Sequence, residues 1–271
     1  MAASAHDHCL NRRLGEDSMR NLMFFILIFL PVVALAGSFD EIRRLELSVE
    51  DIQTLKIDCG AGFLTVIGVK EMDRIRASAQ IIVRGIRENE VQNFLEKHLQ
   101  VALEKRGGKA ILRADFKQSF PAISEAKINL TVKLPTTLPV NIEDGSGAII
   151  VTNLSGGLNI QDNSGSIDIV NMAGKIKVAD SSGSIEIRDA RGNIEIQDGS
   201  GLIYVRRITG NVNITDGSGE MTIQDVNGSV TVTDGSGSIE IQDVTRDVFI
   251  NEAGSGELNI DGVKGKVTSR E

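Results

Sequence analysis

From residue 140 onward the apolar positions fall in pairs separated by one residue, and the pairs recur every nine residues. The pairs are Ile149/Val151, Leu158/Ile160, Ile167/Ile169, Ile176/Val178, Ile185/Ile187, Ile194/Ile196, Ile203/Val205, Val212/Ile214, Met221/Ile223, Val230/Val232, Ile239/Ile241 and Val248/Ile250. Alternation of this kind has the period of a β-strand, so each pair predicts a short strand with one buried face. Most of these residues are β-branched, which suits a pleated, half-buried surface. Two kinds of nonapeptide alternate, represented by "DGSGSIEIQ" (234–242) and "DVNGSVTVT" (225–233). Their second positions differ. In the second kind this position is aliphatic or Met: Leu154, Met172, Ala190, Ile208, Val226 and Val244. In the first kind it is Gly, Asn or Ser, and the phrase opens with Asp144, Asp162, Asp180, Asp198, Asp216 or Asp234, a constant step of 18.

A fixed step with two strands per step predicts an all-β chain folded as a parallel β-solenoid with 18-residue coils. The crossover rule makes it right-handed. One corner of each coil closes on an aliphatic plug, and the other is the polar Asp-Gly turn. Coils stack about 4.8 Å apart, and a single coil cannot bury its own face, so several must stack. No Pro follows Pro139, as a continuous backbone ladder requires. Gly at the fourth position of nearly every nonapeptide predicts a tight corner. Arg246 breaks that rule, and one extra residue near Glu252 shifts the frame before "AGSGELNID" (253–261) resumes it. Residues 140–271 therefore read as the regular solenoid.

Residues 37–139 read as a β-rich front that hides one more copy of the repeat. "KIDCGAGFLTVIGV" (56–69) aligns with "NIEDGSGAIIVTNL" (141–154), with Cys59 in the place of Asp144. Strands are predicted at 74–84, 99–105, 109–116 and 126–134. A helix is predicted at 88–99, where Val91, Phe94, Leu95, His98 and Leu99 share one face. Phe94, Phe116 and Phe120 are expected to pack where this helix covers an end or side of the solenoid, and Pro121 marks a loop. Upstream, Arg20, the apolar run Leu22–Leu30, Pro31 and the Ala34–Ala36 cleavage signature read as a secretory signal peptide over 19–36. The run is too short to span a bilayer, which takes about 20 apolar residues. Residues 1–18 then read as an artefactual upstream extension. Cleavage would leave Cys59 as the single cysteine and His98 as the single histidine of the exported chain, with no internal disulfide.

The export signal, the β-rich front and the GSG-x-I-x-I repeat together resemble a family of exported bacterial β-solenoids labelled "putative adhesin", a domain of unknown function. The resemblance covers roughly residues 40–269. It implies a cell-envelope location and an adhesive role, and it brings no catalytic residues to carry over.

The calcium-binding nonapeptide reads G-G-x-G-x-D-x-U-x, with Asp at the sixth position. Here that position is apolar and the acid stands first, so Asx-type turns account for the Asp ladder more simply than a metal does. At the opposite corner Asn153, Asn171, Asp189, Arg207, Asp225 and Asp243 occupy one position, and an Arg there opposes a shared metal ligand. A single His excludes multi-His metal sites and leaves a Ser/His/Asp triad only His98. Glu186, Glu195, Glu240 and Asp168 recur at an outward position without a pocket signature. The main break in the repeat is "GLIYVRRITG" (201–210), where Tyr204, Arg206 and Arg207 join Arg188 in a candidate ligand patch for an acidic sugar or phosphate. Its bland alternative is a solvated face paired with Glu186 and Glu220.

The net charge is −8, which disfavours nucleic-acid binding, and the absence of Trp disfavours an aromatic sugar platform. The sequence thus predicts a non-enzymatic exported protein of the periplasm or cell surface, with no cofactor. It would act as an adhesin-like scaffold or interaction surface toward an envelope polysaccharide or protein, and meet the membrane only through the signal peptide. The rival readings are a calcium- or glycan-binding module and a polysaccharide-degrading β-helix.

Overall fold

The structure is a computed structural model, and it describes residues 37–117 and 125–270. The upstream extension, the signal peptide, Phe120 and Pro121 lie outside the described residues. The chain is a parallel β-solenoid of about seven turns of roughly 18 residues, preceded by an N-terminal β region with one helix. That region contains β1 (Gly37–Ser48), β2 (Thr54–Cys59), β3 (Leu64–Val69), β4 (Arg74–Ile86), α1 (Glu88–His98), β5 (Leu99–Arg106), β6 (Lys109–Phe116) and β7 (Glu125–Pro135). The regular coils begin with β8 (Val140–Glu143) and β9 (Gly147–Thr152).

The coils build two 11-stranded sheets. Along each sheet the strands pair in parallel with partners 18 residues apart, as in Ile167↔Ile185↔Ile203↔Met221 and Ile176↔Ile194↔Val212↔Val230. The hidden copy is real: β2 pairs with β8 and β3 with β9, so that Leu64 lies against Ile149 and Asp58 against Glu143. The order in space is not the order in sequence. The β6–β7 coil stacks on the far side of β2–β3. From there β4 and β1 extend one sheet, and β5 extends the other, in antiparallel pairs. The predicted strands and helix in this region are all present. The sequence reading missed β1, which lies antiparallel to β4 from Gly37↔Ile86 to Ser48↔Arg74.

The interior is a continuous aliphatic column. Every apolar pair of the repeat is buried, and so are the corner plugs from Leu154 to Val244. Burying such a side chain contributes roughly 1.5–3 kcal/mol relative to exposure. Replacing the plug Ile208 by Ala is expected to lower unfolding stability by about 2–5 kcal/mol, measured by urea denaturation, because neighbouring coils hold the corner open and prevent its collapse. The frame shift near Glu252 is visible as a bulge. Val232 faces Ile250, but Thr233 faces Glu252, and the next coil continues one residue out of step with Ile239↔Leu258. At the N-terminal end α1 buries Val91, Phe94 and Leu95, and the Phe94 and Phe116 ring centroids are 5.8 Å apart.

Candidate functional site

The Asp corner differs from a simple surface turn. The strand that precedes each turn alternates in and out, and the parity runs on past the apolar pair. In Leu158–Asp162 the first, third and fifth residues face inward, so Asp162 follows Leu158 and Ile160 into the interior. The same parity buries Asp144, Asp162, Asp180, Asp198, Asp216 and Asp234, none more than 8% exposed. From Asp162 to Asp234 they lie directly above one another in register. Cys59 and Ala114 continue the row at one end.

The expected Asx turns are present in part. Asp162 Oδ1 accepts from the backbone N–H of Asn163 at 2.8 Å and of Ser164 at 3.3 Å. Asp180 and Asp234 accept from Ser182 and Ser236 at 3.3 Å. The other carboxylate oxygen of each is buried without a hydrogen-bond partner, and at Asp198 and Asp216 the backbone N–H groups of the turn approach the carboxylate without full hydrogen-bond alignment. Removal from water raises the pKa of all six. Asp144 reaches about 7, from burial first and then the Asp162 charge, with a Cys59 hydrogen bond acting against them. Asp162 and Asp198 reach about 6, from burial and the neighbouring aspartates of the stack. Chemically the row is a ladder of buried carboxylates that take up protons more readily than exposed carboxylates do. Among the described residues no group of three or more His, Cys, Asp or Glu side chains is placed to hold a metal ion.

Cys59 Sγ donates to Glu143 O at 3.8 Å, and burial together with Asp144 pushes its thiol well above the ordinary range. The thiolate is the reactive form. In the folded protein Cys59 is therefore expected to react with a disulfide reagent at pH 8 more slowly than in the denatured chain. A comparison of labelling rates with and without denaturant reads this directly.

The opposite corner is built on left-handed backbone. Asn153, Asn171, Asp189, Arg207, Asp225 and Asp243 all have φ between 53° and 61°. Asn and Asp tolerate this conformation better than other side chains, which explains their prevalence at this position. Arg207 is the exception, and its guanidinium holds Asp189 through two bonds of 2.6 and 2.7 Å. That pairing lowers the pKa of Asp189.

The sequence-derived patch is brought together as spaced. Arg188 lies against Arg206, and Glu186 against Tyr204, on adjacent strands. Arg188 Nη2 donates to both Asp168 oxygens at 3.1 Å, while its Nε lies 2.7 Å from Glu186 Oε1 without hydrogen-bond alignment. Arg206 Nε bonds Asp225 at 3.4 Å, and the Tyr204 hydroxyl donates to Gln224 at 3.4 Å. Each arginine of the patch thus faces a carboxylate, and Glu220 is not among these partners. The four repeated acids divide between the sheets. Asp168, Glu186 and Glu240 share one face, while Glu195 sits on the other between Lys175 and Lys177, whose hydrogen bonds hold it down to about 2. His98 lies in the N-terminal helix, its ring 5.1 Å from that of Phe94.

No protein-family model matches the chain. No curated protein matches it in sequence either. Solved structures do. A "putative adhesin" from Bacteroides fragilis NCTC 9343 is 11% identical with a TM-score of 0.42, over 85% of this chain and 97% of the other. A "putative lipid binding protein" from Parabacteroides distasonis ATCC 8503 is 14% identical with a TM-score of 0.42, over the same shares of 85% and 97%. A "putative adhesin" from Parabacteroides merdae ATCC 43184 is 16% identical with a TM-score of 0.38, again over 85% and 97%. These neighbours are bacterial, and two carry the label that the repeat's resemblance implies.

Proposed function

We propose that the chain is a non-enzymatic, exported protein of the cell envelope whose solenoid serves as an adhesin-like scaffold. One observation carries the reading. The interior is aliphatic apart from the Asp row, and the outward rows of both sheets are mostly polar and in register, interrupted by the exposed Ile150 and Phe249. On one face Asn141, Asn159, Asn213 and Thr231 belong to such a row, and on the other Thr222 and Glu240 do. Such a body offers a long, stiff, hydrogen-bonding surface to a partner, and the segment at 19–36 supplies the route out of the cytoplasm.

Cell fractionation with mass spectrometry of the N-terminus tests the proposal. The expected result is a chain processed after Ala36 and recovered from the periplasm or the cell surface. Recovery of unprocessed chain from the cytoplasm, or turnover of an envelope polysaccharide by the purified protein, would overturn it.

A further inference from the structure

A trough runs along the left-handed corner where the N-terminal region meets the regular coils, and its volume is about 440 Å³. Two rows of equivalent positions line it. The pairing offsets place Gly68, Asn153, Asn171 and Asp189 in consecutive coils, and Lys70, Ser155, Ala173 and Arg191 beside them. Thr136 closes the N-terminal side, where its carbonyl accepts from the backbone and hydroxyl of Ser155. Gly68 is required there: a Cβ would lie 1.9 Å from Asn153 O.

The charges in the trough are arranged unevenly. Asp189 is neutralised by Arg207. Lys70 and Arg191, in contrast, have no carboxylate within 4 Å among the described residues. They stand three coil steps apart, about 14 Å along the axis at the ordinary strand spacing. The small side chains of Ser155 and Ala173 form the floor between them. Asn171 Nδ2 donates to Asn153 Oδ1, and the two amide groups carry further N–H donors beyond this bond.

We propose that this trough binds an acidic saccharide segment, with Lys70 and Arg191 each holding a carboxylate or sulfate and the Asn and Ser side chains holding hydroxyls between them. A peptide fits less well. The strands under the trough are paired on both edges, so an extended peptide finds no backbone ladder to join. The overall charge of −8 does not forbid an anion, because screening over about 8 Å at physiological salt leaves the local cations dominant. The inference rests on the scaffold reading for the nature of the partner.

Calorimetric titration of the purified protein with tetragalacturonate tests it, with neutral cellotetraose and a tetra-aspartate peptide as comparisons. The expected result is binding of the uronate alone, weakened about ten-fold by Lys70→Ala and again by Arg191→Ala, since charge-assisted hydrogen bonds are lost. Lys177→Ala, on the other sheet and paired with Glu195, is expected to leave binding unchanged. Unaltered binding by the Lys70→Ala/Arg191→Ala double variant, equal binding of the neutral sugar, preference for the peptide, or no heat with any probe would each overturn the trough while leaving the scaffold reading standing. Binding at these residues followed by cleavage would support the trough and overturn the non-enzymatic reading.

Discussion

Replacing Asp198 by Asn is expected to raise the stability of the folded chain by about 1–3 kcal/mol at pH 7.5 and by almost nothing near pH 4. Asp198 is buried, neither oxygen has a well-aligned hydrogen bond, and Asp180 and Asp216 lie directly against it in the stack. Two unit charges at the coil spacing repel by about 3–4 kcal/mol at an effective dielectric of 20. The folded pKa rises to about 6 from an ordinary 3.8. Folding therefore disfavours the charged form. The penalty is absent below the unfolded value, grows as pH rises between the two, and is complete above about 6. An Asn side chain removes the charge and adds an amide donor toward the neighbouring carboxylates. For the same reason the unmodified protein should gain stability between pH 7.5 and pH 5, opposite to the trend of a fold held by salt-bridged acids. Urea unfolding at the two pH values measures both effects. Destabilisation by Asn at both values would show that the ladder needs its charges.

Gly201→Ala is the more severe change, with an expected loss above about 4 kcal/mol, enough to prevent folding of a chain of ordinary marginal stability. Gly201 has φ 148°, and a Cβ there would stand 1.6 Å from the carbonyl oxygen of Gly183 in the coil below. No side-chain rotation relieves a clash with backbone, so the strands themselves must separate. Gly107 provides the contrast. Its φ is also positive, at 52°, but a Cβ there meets nothing within 4 Å. Gly107→Ala is expected to cost about 1–2 kcal/mol, the penalty of the left-handed conformation alone. Circular dichroism and thermal unfolding of both variants separate the two causes.

Most of the fold was legible because burial and periodicity coincide in the repeat. Ile185 and Ile187 face inward wherever their coil sits, so two residues reveal the whole row. β1 escaped notice because Glu41 and Arg43 occupy the same strand face as Phe39, Leu45 and Leu47. Those two charged residues pair with each other at 2.9 Å, which interrupts the apolar alternation without interrupting the strand. The stacking order of the front was hidden for another reason: the chain lays down β2–β3 first and returns beneath them with β6–β7, a detour that no local pattern records.

The Asp corner was half legible. Its turns follow from residue type, but the inward aim of the carboxylates follows from parity, and parity was followed only as far as the apolar residues. Continuing the count from Ile196 by two residues places Asp198 inside. The trough left less signal. Lys70 and Arg191 are 121 positions apart in the sequence and meet only because the coil offset changes from 85 to 18 residues across β9.

The in-register coil has a consequence for how such a chain can vary. Each coil touches only the one above and the one below, and the contacts it offers upward match those it needs downward. Duplicating or deleting one 18-residue unit within the regular region therefore preserves every interface type on either side. What changes is length, by about 4.8 Å per unit. The distance between the N-terminal trough and the far coils is thus a quantity that gene duplication can set in equal steps, like graduations on a rule.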